Sequence, residues 1–192
     1  MDGGTVGIIA QAVGASFAVL LAEQLFVSGC KLLLSMTSSG KIDPSLNAPC
    51  FVLIDKALRD EGTSYRYLPP AQYAALNQNL QSALSTVEWN QHHTVHTGPV
   101  WTTDAPYRET EAAIKDARKR GILAVEMEAA ALYAFSAATG NPVVCFAHIT
   151  NEMAQNGNDF EKGQDNGAGD ALSVISTAVH HLREFTLDTP SY

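Results

Sequence analysis

Residues 121–151 read GILAVEMEAAALYAFSAATGNPVVCFAHITN, and this stretch decides the fold class of the chain. A short apolar run ends in an acidic turn, and the alanine-rich segment Met127–Thr139 that follows predicts a helix closed by Gly140. The apolar run Val143–Ile149 then predicts a second, central strand. A strand, a helix and a strand in this order are typical of an α/β fold.

The acidic turn consists of Glu126, Met127 and Glu128. At a strand-to-helix junction of an α/β sheet, a side chain lies at the edge where such folds bind ligands. An ionised carboxylate only accepts hydrogen bonds, so it suits two neighbouring hydroxyls such as those of a ribose, and Met127 can pack on the apolar face of a sugar. The alternative is that both glutamates simply favour the positive N-terminus of the following helix.

The rest of the chain alternates between strand and helix patterns. We therefore expect a three-layer α/β/α sandwich with a mixed central sheet, formed as one domain over residues 1–192. The further strands are expected at Val6–Ala10, Leu32–Met36, Phe51–Ala57 and His92–Val100, and the further helices at Ala15–Ser28, Ala71–Ser85, Glu109–Arg120 and Ala168–Arg183.

Charge and cysteine usage narrow the class of protein. The formal net charge is −8, which argues against nucleic acid or an anionic membrane as a partner, because both demand clustered Lys and Arg. Cys30, Cys50 and Cys145 are odd in number and widely spaced, as expected of reduced thiols in a cytoplasmic protein. Neither an apolar run of membrane-spanning length nor a signal-peptide pattern is present in the sequence.

Two polar segments are candidate ligand sites. The segment Ser35–Gly40 follows a buried strand, so it could be a loop whose hydroxyls and N–H groups hold an anion, or an ordinary turn. In the histidine-rich segment, His92 and His96 share one face of a strand while His93 lies on the other. Two histidines without a nearby Cys or Asp make a poor metal site, so no metal is expected.

The run VEMEAAALYA, followed by a strand and then by Thr150-Asn151, resembles the nucleoside phosphorylase superfamily. That family includes purine nucleoside phosphorylases, uridine phosphorylases and methylthioadenosine nucleosidases. The resemblance spans about residues 4–183 and is supported by three further stretches, QAVGASFAVLLAEQLFVSGCKLLLSMTSSGKI (11–42), FVLIDKALRDEGTSYRYLPP (51–70) and HTGPVWTTDAPYRET (96–110).

The resemblance implies roles for the acidic turn. In the family, the second glutamate of the E-M-E run binds ribose hydroxyls, which assigns that role to Glu128. Met127 would then lie on the sugar, and Glu126 would lie beside it. The resemblance thus names Glu128 as the residue that anchors the sugar.

The resemblance also implies how the base is bound. Asn151 matches an Asp or Asn with which purine-acting relatives bond the base and help it leave, although an Asn at this position could equally be a cap. Tyr107 matches an aromatic residue that packs on the base, and Arg108 is the nearest cation, or else a surface ion-pair partner. The Gln-x-Arg pair of uridine phosphorylases is replaced by Thr110 and Ala112, which favours a purine-like base over uracil.

The segment Ser35–Gly40 matches the loop that holds the nucleophilic phosphate in the family. Ser38 is the matching hydroxyl, with Thr37 and Gly40 as backbone neighbours. However, Ser35 stands where uridine phosphorylases have an arginine, and the family's upstream glycine-rich phosphate loop has no counterpart, so the domain is expected to be short at its N-terminus. Phosphate without arginine loses bidentate contacts, and Arg59 and Arg66 are the nearest candidates to replace them.

Two functions remain open. The first is a pentosyltransferase or related nucleosidase that cleaves the N-glycosidic bond of a nucleoside, with Glu128 and Asn151 as its catalytic residues. It would need no cofactor, and its co-substrate would be phosphate or water. The second is a degenerate homologue that binds a nucleoside without cleaving it. In either case the expected ligand is a small-molecule nucleoside, and the resemblance implies a homo-oligomer, from a dimer to a hexamer.

Overall fold

A computed structural model describes residues 6–89, 93–151 and 164–183 of this 192-residue chain. Strands and α-helices alternate from residue 73 onward, as the sequence predicts, whereas the first three strands follow one another without an α-helix between them. The strands are β1 (Leu33–Lys41), β2 (Cys50–Asp60), β3 (Tyr73–Ala75), β4 (Val95–Thr103), β5 (Ala124–Glu126) and β6 (Val143–Asn151). The helices are α1 (Ala15–Val27), α2 (Gln78–Ser85), α3 (Glu111–Lys119), α4 (Ala129–Thr139) and α5 (Ala168–His181).

The strands form one mixed sheet in the order β3-β2-β4-β5-β1-β6. The pairs β1–β6, β2–β4 and β4–β5 are parallel, whereas β1–β5, β2–β3 and β2–β6 are antiparallel. The predicted α/β fold with a mixed central sheet is therefore confirmed. The pairing of β6 with β2 also closes the sheet on itself, a feature that the sequence did not predict.

Helix α4 is the most buried helix. Residues 129–136 are all buried, and the helix packs on α1, β2 and β3. Its Tyr133 hydroxyl donates to the Ile54 carbonyl at 2.5 Å and accepts from the Cys145 N–H at 3.1 Å, which ties the helix to β2 and β6. A helix that is apolar all round needs neighbours on every side. This burial fixes the helix N-terminus next to β5.

Helix α3 packs differently from the other helices. Its Ala117 belongs to a separate, smaller apolar cluster with Ile42, Trp101, Ile122 and Val125.

Among the residues that the structure describes, no helix is long and apolar enough to cross a membrane. Cys30 is half-buried and Cys50 and Cys145 are buried, and all three are free thiols.

Three predicted elements are wrong. Residues 6–10 form no strand in the described part of the chain, because no described strand pairs with them. The helix expected over Ala71–Ser85 is confined to α2, where the Asn77 side chain caps the Asn79 and Leu80 N–H groups. The residues before it form β3, because the edge of β2 offers them a partner.

The segment Ser35–Gly40 is not a loop, and this is the third difference. Strand β1 continues through it to Lys41, since β6 pairs with residues 33–40 and β5 pairs with Gly40 and Lys41. The pairing shifts by one residue between Ser39 and Gly40. A polar Ser/Thr/Gly run favours a turn locally, but the neighbouring strands decide its conformation here.

Candidate functional site

The junction between β5 and α4 places two carboxylates inside the protein. Glu126 is the last residue of β5, and Glu128 is the N-cap residue of α4. Both side chains are buried, with exposed fractions of 3% and 4% respectively. A buried carboxylate must be hydrogen-bonded, so the partners of each one define the site.

Glu126 holds the start of α4. One of its oxygens accepts from the Glu128 N–H at 2.8 Å and the Ala129 N–H at 2.7 Å, and the other bonds to the Thr102 hydroxyl. The Thr102 oxygen in turn accepts from the Ala130 N–H at 3.0 Å. Three of the first N–H groups of α4, which lack partners within the helix, are thereby satisfied.

The pKa of Glu126 is raised to about 8. Burial is the largest cause and the negative charge of Glu128 is the second, while the hydrogen bonds from Thr102, Glu128 and Ala129 oppose the rise. Two neighbouring buried carboxylates favour the state in which one of them is neutral. At neutral pH, Glu126 therefore carries a proton for most of the time.

Glu128 joins three distant parts of the chain. Its Oε1 accepts from the Gly14 N–H at 2.6 Å, and its Oε2 accepts from the Thr37 hydroxyl at 2.8 Å. A longer contact of 3.4 Å joins the Met127 N–H to Oε2. The family resemblance implies that Glu128 lies close to the segment Thr37–Gly40, and the structure shows Thr37 in direct contact with it; each carboxylate oxygen has one short hydrogen bond.

Gly14 reaches Glu128 because of its backbone conformation. Its φ of 91° and ψ of 147° lie in a region that only glycine adopts readily, and the residue ends the segment that leads into α1. A Cβ added at Gly14 would meet nothing within 4 Å, so the requirement for glycine is one of conformation rather than of space. This conformation directs the Gly14 N–H at the carboxylate instead of into the helix.

A second pair of hydroxyls lies beside Thr37. The Ser38 hydroxyl is 2.7 Å from the Thr150 hydroxyl, which joins the ends of β1 and β6. Ser38 is exposed, whereas Thr150 is only 1% exposed. The buried threonine therefore orients an exposed hydroxyl next to the residue that contacts Glu128.

Strand β1 also has backbone groups that can bind a ligand. Over residues 33–39 it pairs with β6 on one side, while β5 meets it only at Gly40 and Lys41. On the β5 side, residues 33–39 therefore have no ladder partner within the described ranges. Because the backbone groups of successive strand residues point to alternate sides, some of the N–H groups in this segment are not used by the sheet.

The remaining candidate residues are Met127, Asn151, Tyr107 and Arg108. Met127 is half-buried between the two glutamates, and Asn151 ends β6 in register with Gly40, although its side chain is outside the described part of the structure. Tyr107 is 100% exposed and Arg108 is also exposed, on a short 3-10 turn after β4. Their substrate-binding roles stay predictions.

The two arginines considered for phosphate differ in availability. Arg59 is buried, and its guanidinium donates to the Ser64 hydroxyl at 2.8 Å and to the carbonyls of Pro69 and Leu68 at 2.8 and 3.2 Å. The same group lies over the Tyr65 ring, 4.2 Å from its centroid. Arg59 is therefore held within its own segment, whereas Arg66 is exposed.

Three residues of this site were not among the sequence-based candidates. Gly14 lies just before the predicted helix Ala15–Ser28, and Thr102 and Thr150 lie just beyond the ends of the predicted strands, at Val100 and Ile149. A glycine before a long helix is a weak signal of a backbone donor. Nothing in the local sequence distinguishes Thr102 or Thr150 from other strand threonines, because their partners lie 24 and 112 residues away.

Comparison with known proteins places the chain in a family. A family model described as the phosphorylase superfamily matches residues 1–180. A guanosine phosphorylase of Halorubrum lacusprofundi is 27% identical over 139 residues, which are 72% of this chain and 58% of that protein. An uncharacterised protein of Acanthamoeba polyphaga mimivirus is 23% identical over 180 residues, covering 91% of this chain and 70% of its own length.

Solved structures agree with this match. A uridine phosphorylase from Vibrio fischeri superposes with a TM-score of 0.75 and 26% identity, covering 90% of this chain and 71% of that one. An AMP nucleosidase from Bacteroides thetaiotaomicron has a TM-score of 0.73 at 22% identity, covering 90% and 72% respectively, and shows the shared fold. The chain thus spans less than two thirds of the matched guanosine phosphorylase and about seven tenths of these structures.

Proposed function

The chain belongs to the phosphorylase superfamily, and from this membership we propose that it cleaves the N-glycosidic bond of a purine-like nucleoside. The observation that carries the proposal is the buried Glu128 carboxylate, held through one oxygen by Gly14 and through the other by Thr37. A carboxylate oxygen has two lone pairs, so each oxygen retains acceptor capacity. Two vicinal hydroxyls of a ribose fit that remaining capacity.

In the proposed reaction, the bond to the base breaks through an oxocarbenium-like transition state. Glu128 orients the sugar, which contributes to the rate by holding the reacting atoms in one geometry. Asn151 stabilises the departing base through its amide, and Met127 packs on the sugar. Glu126 keeps the acidic turn in place through its bonds to the Glu128 and Ala129 N–H groups.

The base is proposed to be purine-like for two reasons. Thr110 and Ala112 stand where uridine phosphorylases have their Gln-x-Arg pair. The curated relative from Halorubrum lacusprofundi is a guanosine phosphorylase, and guanine is a purine. Tyr107 and Arg108 are proposed to contact the base.

The nucleophile is proposed to be phosphate or water, placed next to the Ser38 hydroxyl and the neighbouring backbone of Thr37 and Gly40. Ser38 is exposed and oriented by Thr150, which suits a group that contacts a ligand. Arg59 is held by its own segment, so phosphate would need a cation from elsewhere, such as the exposed Arg66 of a second copy.

A second candidate function is nucleoside binding without cleavage. Ser35 in place of arginine and the engaged Arg59 favour it, because phosphate held only by neutral donors loses the bidentate, charge-assisted contacts. In this alternative, Glu128 still anchors a ribose.

We also propose that the protein is a cytoplasmic homo-oligomer. Its free Cys30, Cys50 and Cys145 suit a reducing compartment. Large apolar side chains are exposed on α1 and on the segment before it, among them Ile8 (74% exposed), Val13 (66%) and Leu20 (52%). Exposed apolar patches of this kind often mark protein–protein contacts.

The test is a panel of purine and pyrimidine nucleosides incubated with and without phosphate, followed by chromatography of the released base. We expect release of a purine base by the wild-type protein, a loss of about a hundredfold or more in Glu128→Ala, and partial activity in Glu128→Gln, which keeps one acceptor. Glu111→Ala, at an exposed glutamate in the first turn of α3, serves as the matched control.

The possible results separate the two candidates. Release that requires phosphate identifies a phosphorylase, and release without it identifies a nucleosidase. Calorimetric binding of a nucleoside without release identifies the binding homologue. Equal activity of Glu128→Ala and the wild-type protein would contradict the role of Glu128.

A further inference from the structure

We propose that Thr37 is a positioning residue whose hydroxyl fixes the Glu128 carboxylate and thereby sets the discrimination between ribonucleosides and 2′-deoxyribonucleosides. The inference rests on the proposed function and goes beyond the phosphate-loop role expected for this segment. It concerns a hydrogen bond between two side chains, 91 residues apart, whose segments the family resemblance brings near each other without indicating the bond itself.

Two hydrogen bonds fix the Glu128 carboxylate. Gly14 N–H donates to Oε1 at 2.6 Å, and the Thr37 hydroxyl donates to Oε2 at 2.8 Å. Because the two donors lie on β1 and at the start of α1, they fix both the position and the rotation of the carboxylate. The lone pairs that remain then point in fixed directions.

The second step concerns what Thr37 itself can do. A threonine hydroxyl has a single proton, and here that proton is directed at a carboxylate, the stronger acceptor. Its other contact, to the Ser38 carbonyl, is longer, at 3.4 Å. The hydroxyl therefore has no second proton for a phosphate or a sugar, and it acts on a ligand through Glu128.

Thr37 is itself held rigidly. Thr37 is β-branched, which restricts its side-chain rotation, and its backbone lies in β1 opposite Ala147 of β6. The neighbouring Ser39 hydroxyl also bonds to the Thr37 carbonyl at 3.4 Å. Both the side chain and the backbone of Thr37 are thus restrained. This restraint is needed if its hydroxyl is to position the Glu128 carboxylate.

The consequence is a selective effect on substrates. A carboxylate of fixed rotation can accept from both ribose hydroxyls at once, whereas a 2′-deoxyribose offers only one of them. Without the Thr37 hydroxyl the carboxylate can rotate, and the advantage of the second hydroxyl declines. The ratio of ribonucleoside to 2′-deoxyribonucleoside activity should therefore fall.

The experiment compares Thr37→Val, which keeps the shape and removes the hydroxyl, with Thr37→Ser, which keeps the hydroxyl. Thr139→Val is the matched control, because Thr139 also uses its hydroxyl, at 2.9 Å to the Phe135 carbonyl, but lies at the opposite end of α4 from Glu128. KM and kcat are measured for the preferred ribonucleoside and its 2′-deoxy counterpart, with the melting temperature of each variant as a check on folding.

We expect Thr37→Val to raise the KM for the ribonucleoside about tenfold with a smaller change in kcat, a difference of the size that one charge-assisted hydrogen bond provides. The preference for the ribonucleoside should fall by a similar factor, and Thr37→Ser should restore most of it. Thr139→Val should keep the wild-type preference. If the wild-type protein binds without cleaving, the dissociation constants of the same two nucleosides replace KM.

An unchanged preference in folded Thr37→Val, with an active wild-type protein, would overturn this inference and leave the proposed function intact. A wild-type protein that neither binds nor cleaves any nucleoside would overturn both. If Thr37→Val does not fold, Thr37→Ala removes the same hydroxyl with less bulk and gives the same two outcomes.

Discussion

Glu126 and Glu128 lie one residue apart along the chain, and their carboxylates have different partners. Glu126 bonds to Thr102 and to the first N–H groups of α4, whereas Glu128 bonds to Gly14 and Thr37. In an extended chain, the side chains of residues i and i+2 point to the same side. Because α4 begins at Glu128, the two carboxylates point to different partners. Glu126 thus supports the start of α4, whereas Glu128 is held by distant parts of the chain.

The raised pKa of Glu126 predicts a dependence of stability on pH. The folded protein keeps the Glu126 proton up to a pKa of about 8, while the unfolded chain releases it near the ordinary value of 4.5. Between these values the folded state binds more protons, so the free energy of unfolding should fall as the pH rises, by at most about 1.4 kcal/mol per pH unit for this one group.

Urea unfolding at several pH values between 5 and 8 measures this effect, and Glu126→Gln should reduce the slope, because an amide does not titrate. Glu111→Gln removes the same charge from an exposed position and serves as the control. Parallel curves for Glu126→Gln and the wild-type protein would show that Glu126 does not carry the proton.

Glu128 could be found from the sequence because a charge that interrupts an apolar run is conspicuous, and because the E-M-E run resembles a known family. The resemblance also implies that Glu128 lies near the segment Thr37–Gly40, but the individual hydrogen-bond partners of Glu128 could not be found in this way. Gly14 is 114 residues away and Thr37 is 91 residues away, so their contacts depend on how the sheet and α1 assemble. Local pattern carries no information about such pairs.

At the scale of secondary structure, the elements that the sequence predicts best are those with strong local signals. The apolar stretch and C-terminal glycine of α4, and the apolar run of β6, place these elements within two residues of their observed bounds. Strand β1 was predicted to end at Met36, because Thr37–Gly40 has the composition of a turn. Its continuation depends on β6, which is more than 100 residues later in the chain.

The Thr102 hydroxyl joins β4 to the start of α4, and this junction can be tested. Thr102→Val keeps the shape and removes the hydrogen-bond partner of the Ala130 N–H and of one Glu126 oxygen, Oε1, while the other oxygen keeps its two N–H donors. We expect a loss of about 1–3 kcal/mol in the free energy of unfolding, measured by urea titration. A double-mutant cycle with Glu126→Gln should show that the two losses do not add, because the side chains share one hydrogen bond.

Thr177→Val is the control for that prediction, since the Thr177 hydroxyl bonds at 3.0 Å to a carbonyl within α5, far along the chain from this junction. Its effect should stay within about 0.5 kcal/mol, as for a substitution away from buried networks. A similar loss in both threonine variants would show that the junction has no special stability.

At the scale of the whole molecule, the sheet closes through the β2–β6 pair, while β6 also pairs with β1 along most of its length. The α/β class and the mixed sheet could be predicted, because they follow from the alternation of elements. The closure could not, since strand order is decided by packing between elements. The outer face of α1 is left uncovered within the described chain.

That outer face predicts association. Phe17 and Leu20 are 45% and 52% exposed on α1, next to the exposed apolar residues of the preceding segment. In sedimentation velocity at micromolar concentration, we expect the wild-type protein to be an oligomer. The double variant Phe17→Ser with Leu20→Ser should shift it toward the monomer, because it removes apolar area from the face.

Leu172→Ser is the matched control, because Leu172 is 51% exposed on α5 and belongs to another face. It should leave the sedimentation profile unchanged. A monomeric wild-type protein would contradict the assignment of α1 to the interface. An equal effect of Leu172→Ser and of the double variant on the sedimentation profile would contradict it as well.

The hydrogen bond between Gly14 and Glu128 also determines when the site can form during synthesis of the chain. Its two partners are 114 residues apart, and at about 5–20 residues per second a ribosome needs about 6–23 s to add that length of chain. During that interval α1 exists without its carboxylate partner and with its apolar face exposed. Competence to bind a ligand therefore arises late in the synthesis of this chain, after most of it has already emerged.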